Sequence, residues 1–229
     1  MRLHTTAVLS ALAVLALTGC STDRADSIVK SSTTVSVRPG GESAPASTPL
    51  SSAALAQRLL DESDLGEGYT RTPQRSAQHD DVTVIGCPAL EKLGSEVAVG
   101  GSLDFPHKAK ASFTYAVGSG SEVSEELYSD TTAKLSRGVS RIFDAMTSCP
   151  TYQVLVGSTS VDMGTEQMTA PPVGDEQWSQ RLTYSVGRQR SVVQQTAIRV
   201  ANVLVIVSGS PGLVDAHLAK AVDKVQRTR

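Results

Sequence analysis

Residues 7–17 are eleven small and apolar side chains in a row, preceded by Arg2 and followed by Thr18, Gly19 and Cys20. This run divides the chain before anything else can be read from it. Arg2 supplies a positive lead-in, the run has the length of a signal-peptide apolar region, and Gly19 is the small residue that lets a peptidase approach the backbone. Eleven residues are too few to cross a bilayer as a helix. Residues 1–19 are therefore expected to be a leader, and the remainder of the chain is expected to fold outside the cytoplasm. An ordinary secretory signal and an uncut weak anchor share the same apolar pattern and remain the alternatives.

Leu17-Thr18-Gly19-Cys20 resembles the bacterial lipobox, a specific motif whose cysteine is acylated and becomes the new N-terminus. The resemblance implies a lipid on Cys20, with palmitate among its chains, and the membrane as a partner. Stable anchoring takes two or more acyl chains. Cysteine arithmetic agrees, because an exported chain with three cysteines has an odd thiol to explain. Giving Cys20 to lipid leaves Cys87 and Cys149 as an even pair. A disulfide between them would close a loop of about 60 residues, worth roughly 4 kcal/mol on the chain-entropy account. Two buried thiols or two metal ligands are the other readings; the absence of a CxxC or a histidine cluster argues against zinc.

The charge balance of −2 becomes −3 once Arg2 leaves with the leader, and no basic block appears, so nucleic acid is not an expected partner. Fourteen Arg against seven Lys, and Asn only at Asn202, match the usage of a high-GC actinobacterial genome. Residues 20–50 are mostly Ser, Thr, Pro and Gly and cannot bury enough surface to offset their ordering entropy. They read as a disordered tether with an extended reach of about 100 Å. Ser27-Ile28-Val29-Lys30 fits the S-x-x-K pattern of penicillin-interacting enzymes. A nucleophile in a loose tether lacks the rigid surroundings that activation needs.

One domain is expected over residues 51–229, with its folded part ending near Gln226. Leu55, Leu59 and Leu60 recur at helical spacing behind Ser52 until Asp64-Leu65-Gly66-Glu67-Gly68 breaks the pattern. Residues 71–81 read as a polar loop, and Pro88 opens a short helix through Leu93. Residues 110–117 alternate as a strand. Val123, Leu127, Leu135, Val139, Ile142 and Met146 then suggest one long helix starting at Ser121, with Gly138 as a site of bending. Strands are expected over residues 152–156, 160–168, 178–186, 191–199 and 203–207, the last apolar on both faces and therefore central. A final helix opens at Pro211 and Gly212. Strands and helices grouped this way imply α+β: an antiparallel sheet of about five strands with helices packed on one face.

The lipobox, the tether, Asp64-Leu65-Gly66-Glu67-Gly68-Tyr69, Gly86-Cys87-Pro88-Ala89-Leu90 and Ser148-Cys149-Pro150 together resemble actinobacterial lipoproteins with a PknH-like extracellular sensor domain. The likeness covers about residues 52–226. It implies a domain held outside the membrane, by a Ser/Thr kinase or by a lipid, that recognises an envelope ligand in a cleft. With no kinase in this chain, signalling would need a protein partner.

No catalytic motif emerges, and neither a cofactor nor a metal is expected. His79, Asp80 and Asp81 form the one polar cluster that could serve an envelope hydrolase, and a solvated loop explains them as well. His217 lies on the apolar face of the last helix and His107 in a turn. The leading expectation is a non-catalytic binding or sensor domain. Phe113, Tyr115, Trp178 and Tyr184 would line its cleft, with Arg181 as the anion contact. Sheet aromatics also fill ordinary cores. An accessory subunit of an envelope complex is the third reading.

Overall fold

Nine strands share one antiparallel sheet in the order β1-β3-β4-β9-β8-β7-β6-β5-β2. The computed structural model describes residues 48–73, 82–94, 103–116 and 121–227. The chain opens with two short helices, α1 (Ser52–Ala56) and α2 (Glu62–Leu65), then β1 (Tyr69–Arg71), β2 (Val82–Ile85) and α3 (Pro88–Glu91). A hairpin comes next, β3 (His107–Tyr115) and β4 (Ser121–Ser129), and then α4 (Thr132–Thr147). A meander runs through β5 (Thr151–Val156), β6 (Thr159–Met168), β7 (Glu176–Val186), β8 (Gln189–Val200) and β9 (Val203–Gly209). The last element is α5 (Pro211–Arg227).

The expected sheet of about five strands is corrected to nine, and helices cover both of its faces rather than one. Side chains alternate across a strand, and β9 shows the consequence. Val203, Val205 and Val207 pack with Leu55 and Leu60 and with Val214 and Leu218 of α5. Leu204 and Ile206 pack with Leu135, Val139 and Phe143 of α4 on the other side. Residues 203–207 are apolar throughout for this reason. A further core joins Leu90, Met146, Tyr152, Val154, Met163 and Leu182 beneath α3 and the end of α4.

Three strands account for the miscount. β1 has three residues and β2 four, too few to show a period. β4 takes the place of the expected first half of a long helix. Val123 and Leu127, four apart, fit a helix; in the strand they share a buried face with Glu125 between them. An acidic residue at the inward position hides the alternation. Asp130, whose carboxylate accepts from the Thr131 amide at 2.7 Å, then separates β4 from the real helix.

Gly138 does not divide α4, which runs unbroken through it. A Cβ there would stand 2.8 Å from the Phe105 ring, so the glycine makes room for packing. Gly209, at φ 147°, is required more strictly, because a Cβ would fall 2.1 Å from the Glu122 carbonyl where β9 meets β4. The first helix also divides. α1 ends at Ala56, and α2 starts at an Asp61 capping box in which Asp61 accepts from the amides of Ser63 and Asp64. Among the described residues, no helix is long and apolar enough to cross a membrane.

Candidate functional site

α4 turns Leu135, Val139, Phe143 and Met146 toward the sheet. The adjoining side of the helix presents Ser136, Arg137, Ser140, Arg141 and Asp144, positions that recur about one turn apart. α3 and the residues after it supply the facing wall, Ala89, Lys92 and Leu93. Between them lies a groove of about 660 Å³, within the range of small-molecule sites. Half-buried Ala89 and Leu93, with buried Ala145, give the groove an apolar floor.

The two walls are joined covalently. Cys87 and Cys149, 62 positions apart in sequence, form a disulfide with a Cα separation of 5.8 Å. Cys87 is the residue from which α3 starts, and Cys149 directly follows Ser148, the C-cap of α4. The cross-link therefore fixes the width of the groove at one end. Pro88 at the first helical position needs no hydrogen bond there, so the short helix can begin at the half-cystine.

The groove is also rich in positive charge. Lys92, Arg137 and Arg141 line it against one anion, Asp144, on a chain whose overall balance is −2. Arg137 Nε donates to the Ala133 carbonyl at 3.1 Å, which fixes the side chain along the helix. Among the described residues, neither Lys92 nor Arg141 takes part in an ion pair. Arg137 and Arg141 stand four apart on one helix, an arrangement of like charges that costs roughly 0.2–0.5 kcal/mol.

Two other cavities have partners for some of their lining residues. One of about 550 Å³ lies between α1 and β3 and includes Arg71, Lys108 and Lys110. There Lys110 pairs with Glu126 at 2.6 Å, and the Arg71 guanidinium sits 5.8 Å over the Phe113 ring. A second, about 300 Å³, is walled by Phe143 and Trp178, whose rings are 6.4 Å apart.

The five expected ligand contacts do not share a surface. Phe113 is fully buried in the core against α1 and α5, and Tyr115 stacks on Tyr69 with ring centroids 4.7 Å apart. Trp178 and Tyr184 lie on the opposite face of the sheet. Burial pushes the Tyr184 hydroxyl up to about 12, with neighbouring Tyr152 adding to the shift. Arg181 stands on the same face of the sheet as Ser179 and is paired with Glu166 at 3.1 Å. Of the five, Trp178 lines one of these cavities. Cys20, His79, Asp80 and Asp81 lie outside the described residues.

His217 is a bonded histidine at the edge of the core. Its Nε2 lies 2.6 Å from the Tyr69 hydroxyl, and burial lowers its basicity while burial raises the Tyr69 pKa. Glu125 is more unusual. It is 1% exposed, its Oε2 accepts from the Leu60 amide at 2.6 Å, and its Oε1 has no partner among the described residues. Burial pushes its carboxyl up to about 7, opposed by the Leu60 amide and by Lys224. Lys224 itself reaches the carboxylates of Asp61 and Asp64, which overcome its own burial and raise its pKa.

The groove residues are not among those singled out from sequence, although a signal is present. Ser136-Arg137 and Ser140-Arg141 repeat a Ser-Arg pair at an interval of one helical turn. Such a repeat on the polar side of a core helix marks one wall of a site; the second wall, 43 to 52 positions earlier in sequence, becomes visible only through the cross-link.

One large antiparallel sheet covered on both faces, with a helix pair joined by a disulfide, makes the described residues an α+β fold. The fold is similar to that of the extracellular domain of PknH from Mycobacterium tuberculosis, with a TM-score of 0.59 and 17% sequence identity. The match covers 79% of this chain and 98% of that domain. No protein-family model matches the chain, and no curated protein matches it by sequence.

Proposed function

We propose that this chain is a non-catalytic binding or sensor domain, carried on the extracytoplasmic face of the cell membrane by a lipid on Cys20, and that the α3–α4 groove holds its ligand. The observation that carries this reading is the Cys87–Cys149 disulfide, which belongs to an oxidising compartment and joins the walls of the groove. Likeness of fold to an extracellular domain supports the same location. The lipobox at Leu17-Thr18-Gly19-Cys20 and the Ser/Thr/Pro tether behind it support the anchor.

Intact-mass measurement of the chain recovered from membranes of a producing cell tests the covalent half. The expected species begins at Cys20, carries acyl chains on that residue, and resists thiol alkylation at Cys87 and Cys149 until reduced. A chain with unmodified Cys20, or with both thiols open to alkylation, contradicts the reading.

A further inference from the structure

We infer that the α3–α4 groove binds the phosphate-bearing headgroup end of an anionic phospholipid; this rests on the reading of the groove as the ligand site. Lys92, Arg137 and Arg141 converge on one cavity, and the Lys92 and Arg141 charges are not neutralised by any ion pair among the described residues. Arginine forks match phosphate oxygens in a two-point geometry, and two forks one helical turn apart can hold one phosphate between them. The Ser140 hydroxyl lines the same groove and has no protein partner among the described residues, so it can donate to a phosphate oxygen.

The floor selects among phosphate-bearing ligands. Ala89, Leu93 and Ala145 are apolar, and a free inorganic phosphate would leave them in water. A ligand that continues from its phosphate into an apolar body covers them. A groove of about 660 Å³ accommodates a headgroup with the first carbons of its chains, not a whole lipid. The proposed anchor on Cys20 and a tether of about 30 residues keep the domain within reach of such headgroups.

The test uses the full chain carrying Cys20→Ser, with binding read by calorimetry and by amide shifts of Leu93 and Ser140. The probes are dihexanoylphosphatidylglycerol below its micelle concentration, sodium phosphate, and uncharged octyl glucoside. The phosphatidylglycerol is expected to shift the groove amides and to bind at least about tenfold more tightly than sodium phosphate. Arg137→Gln combined with Arg141→Gln should weaken it by roughly tenfold or more, and Arg188→Gln combined with Arg190→Gln at the β7–β8 turn by less than about twofold. Unchanged circular dichroism and thermal midpoints in both double variants exclude misfolding as the cause. Vesicles of phosphatidylcholine with and without phosphatidylglycerol then ask whether a headgroup is taken from a bilayer, with binding expected only to the anionic vesicles.

Equal binding of octyl glucoside and the lipid, both indifferent to the arginine substitutions, overturns the headgroup assignment while leaving the groove as a site. Sodium phosphate binding as tightly as the lipid overturns the amphiphile. No shift in the groove with any probe overturns the headgroup and the groove together.

Discussion

The two ends of the sheet are held by different means. Around β2, β5 and β6, the small helix α3 is tied to α4 by a covalent bond, and its core of Leu90, Met146, Val154 and Met163 is largely apolar. Around β1, β3 and β4, the segment from Ser51 to Leu65 is held without a cross-link, and at the centre of its packing lies a carboxyl, Glu125, with one oxygen unpartnered among the described residues. The first arrangement joins the two walls of the groove by a bond that does not titrate. The second sets a carboxyl whose pKa burial raises against the Leu60 amide.

Removing the covalent restraint should have the largest effect. Cys87→Ser with Cys149→Ser is expected to cost about 4 kcal/mol in urea unfolding, from a span of 62 positions on the chain-entropy account, where native disulfides typically contribute 2–5. If the loss is under about 1 kcal/mol, the cross-link is not what holds α3 in place, and the contrast between the two ends fails.

Glu125 should come next, and its sign is opposite to that of an ordinary carboxylate. Its folded pKa, about 7, lies above the ordinary value of 4.5, so the folded state holds the proton more tightly. The resulting stability is fully present below about 4.5, is progressively lost as pH rises toward 7, and is gone above it. Glu125→Gln should flatten that slope and, at pH 8, raise stability by something on the order of 2–3 kcal/mol. Parallel stability–pH curves for wild type and variant between pH 5 and 8 would show that the buried carboxyl does not set the behaviour of this end.

The Asp61 capping box sharpens the comparison on a smaller scale. Asp61 is held well below the usual carboxylate range by the Ser63 hydroxyl and then by Lys224. Asp61→Ala should cost about 1 kcal/mol and loosen α2 without altering the groove, as amide exchange would report. Smallest of all, Arg181→Ala removes a solvent-exposed pair with Glu166 and should change stability by under about 0.5 kcal/mol and leave lipid binding unchanged. A larger change in binding would return Arg181 to the site.

Much of this is legible in the chain itself. The meander, the final helix with its Val214, Leu218 and Val222 stripe, and the Cys87–Cys149 pair come from period, capping and cysteine count. The hidden parts have physical causes. β1 and β2 are shorter than any period can register, and Glu125 breaks the alternation of β4 by occupying an inward position that an apolar residue normally fills. Strands carry most of the aromatic residues, which makes a shared cleft a natural expectation. Alternation instead sends Phe113 and Trp178 to opposite faces, and burial claims most of their surface. The groove draws its charge from the solvent side of a core helix, where charged residues are common enough to pass unnoticed.

Amide hydrogen exchange across α3 and α4, with and without short-chain phosphatidylglycerol and before and after reduction of Cys87–Cys149, tests the central claim most directly. The expected result is protection of α3 and the groove side of α4 by the lipid in the oxidised protein, abolished by reduction, while α1 and α2 stay unchanged. Protection that survives reduction, that appears at α1 and β3 instead, or that is absent from the oxidised protein would contradict a disulfide-built lipid headgroup site.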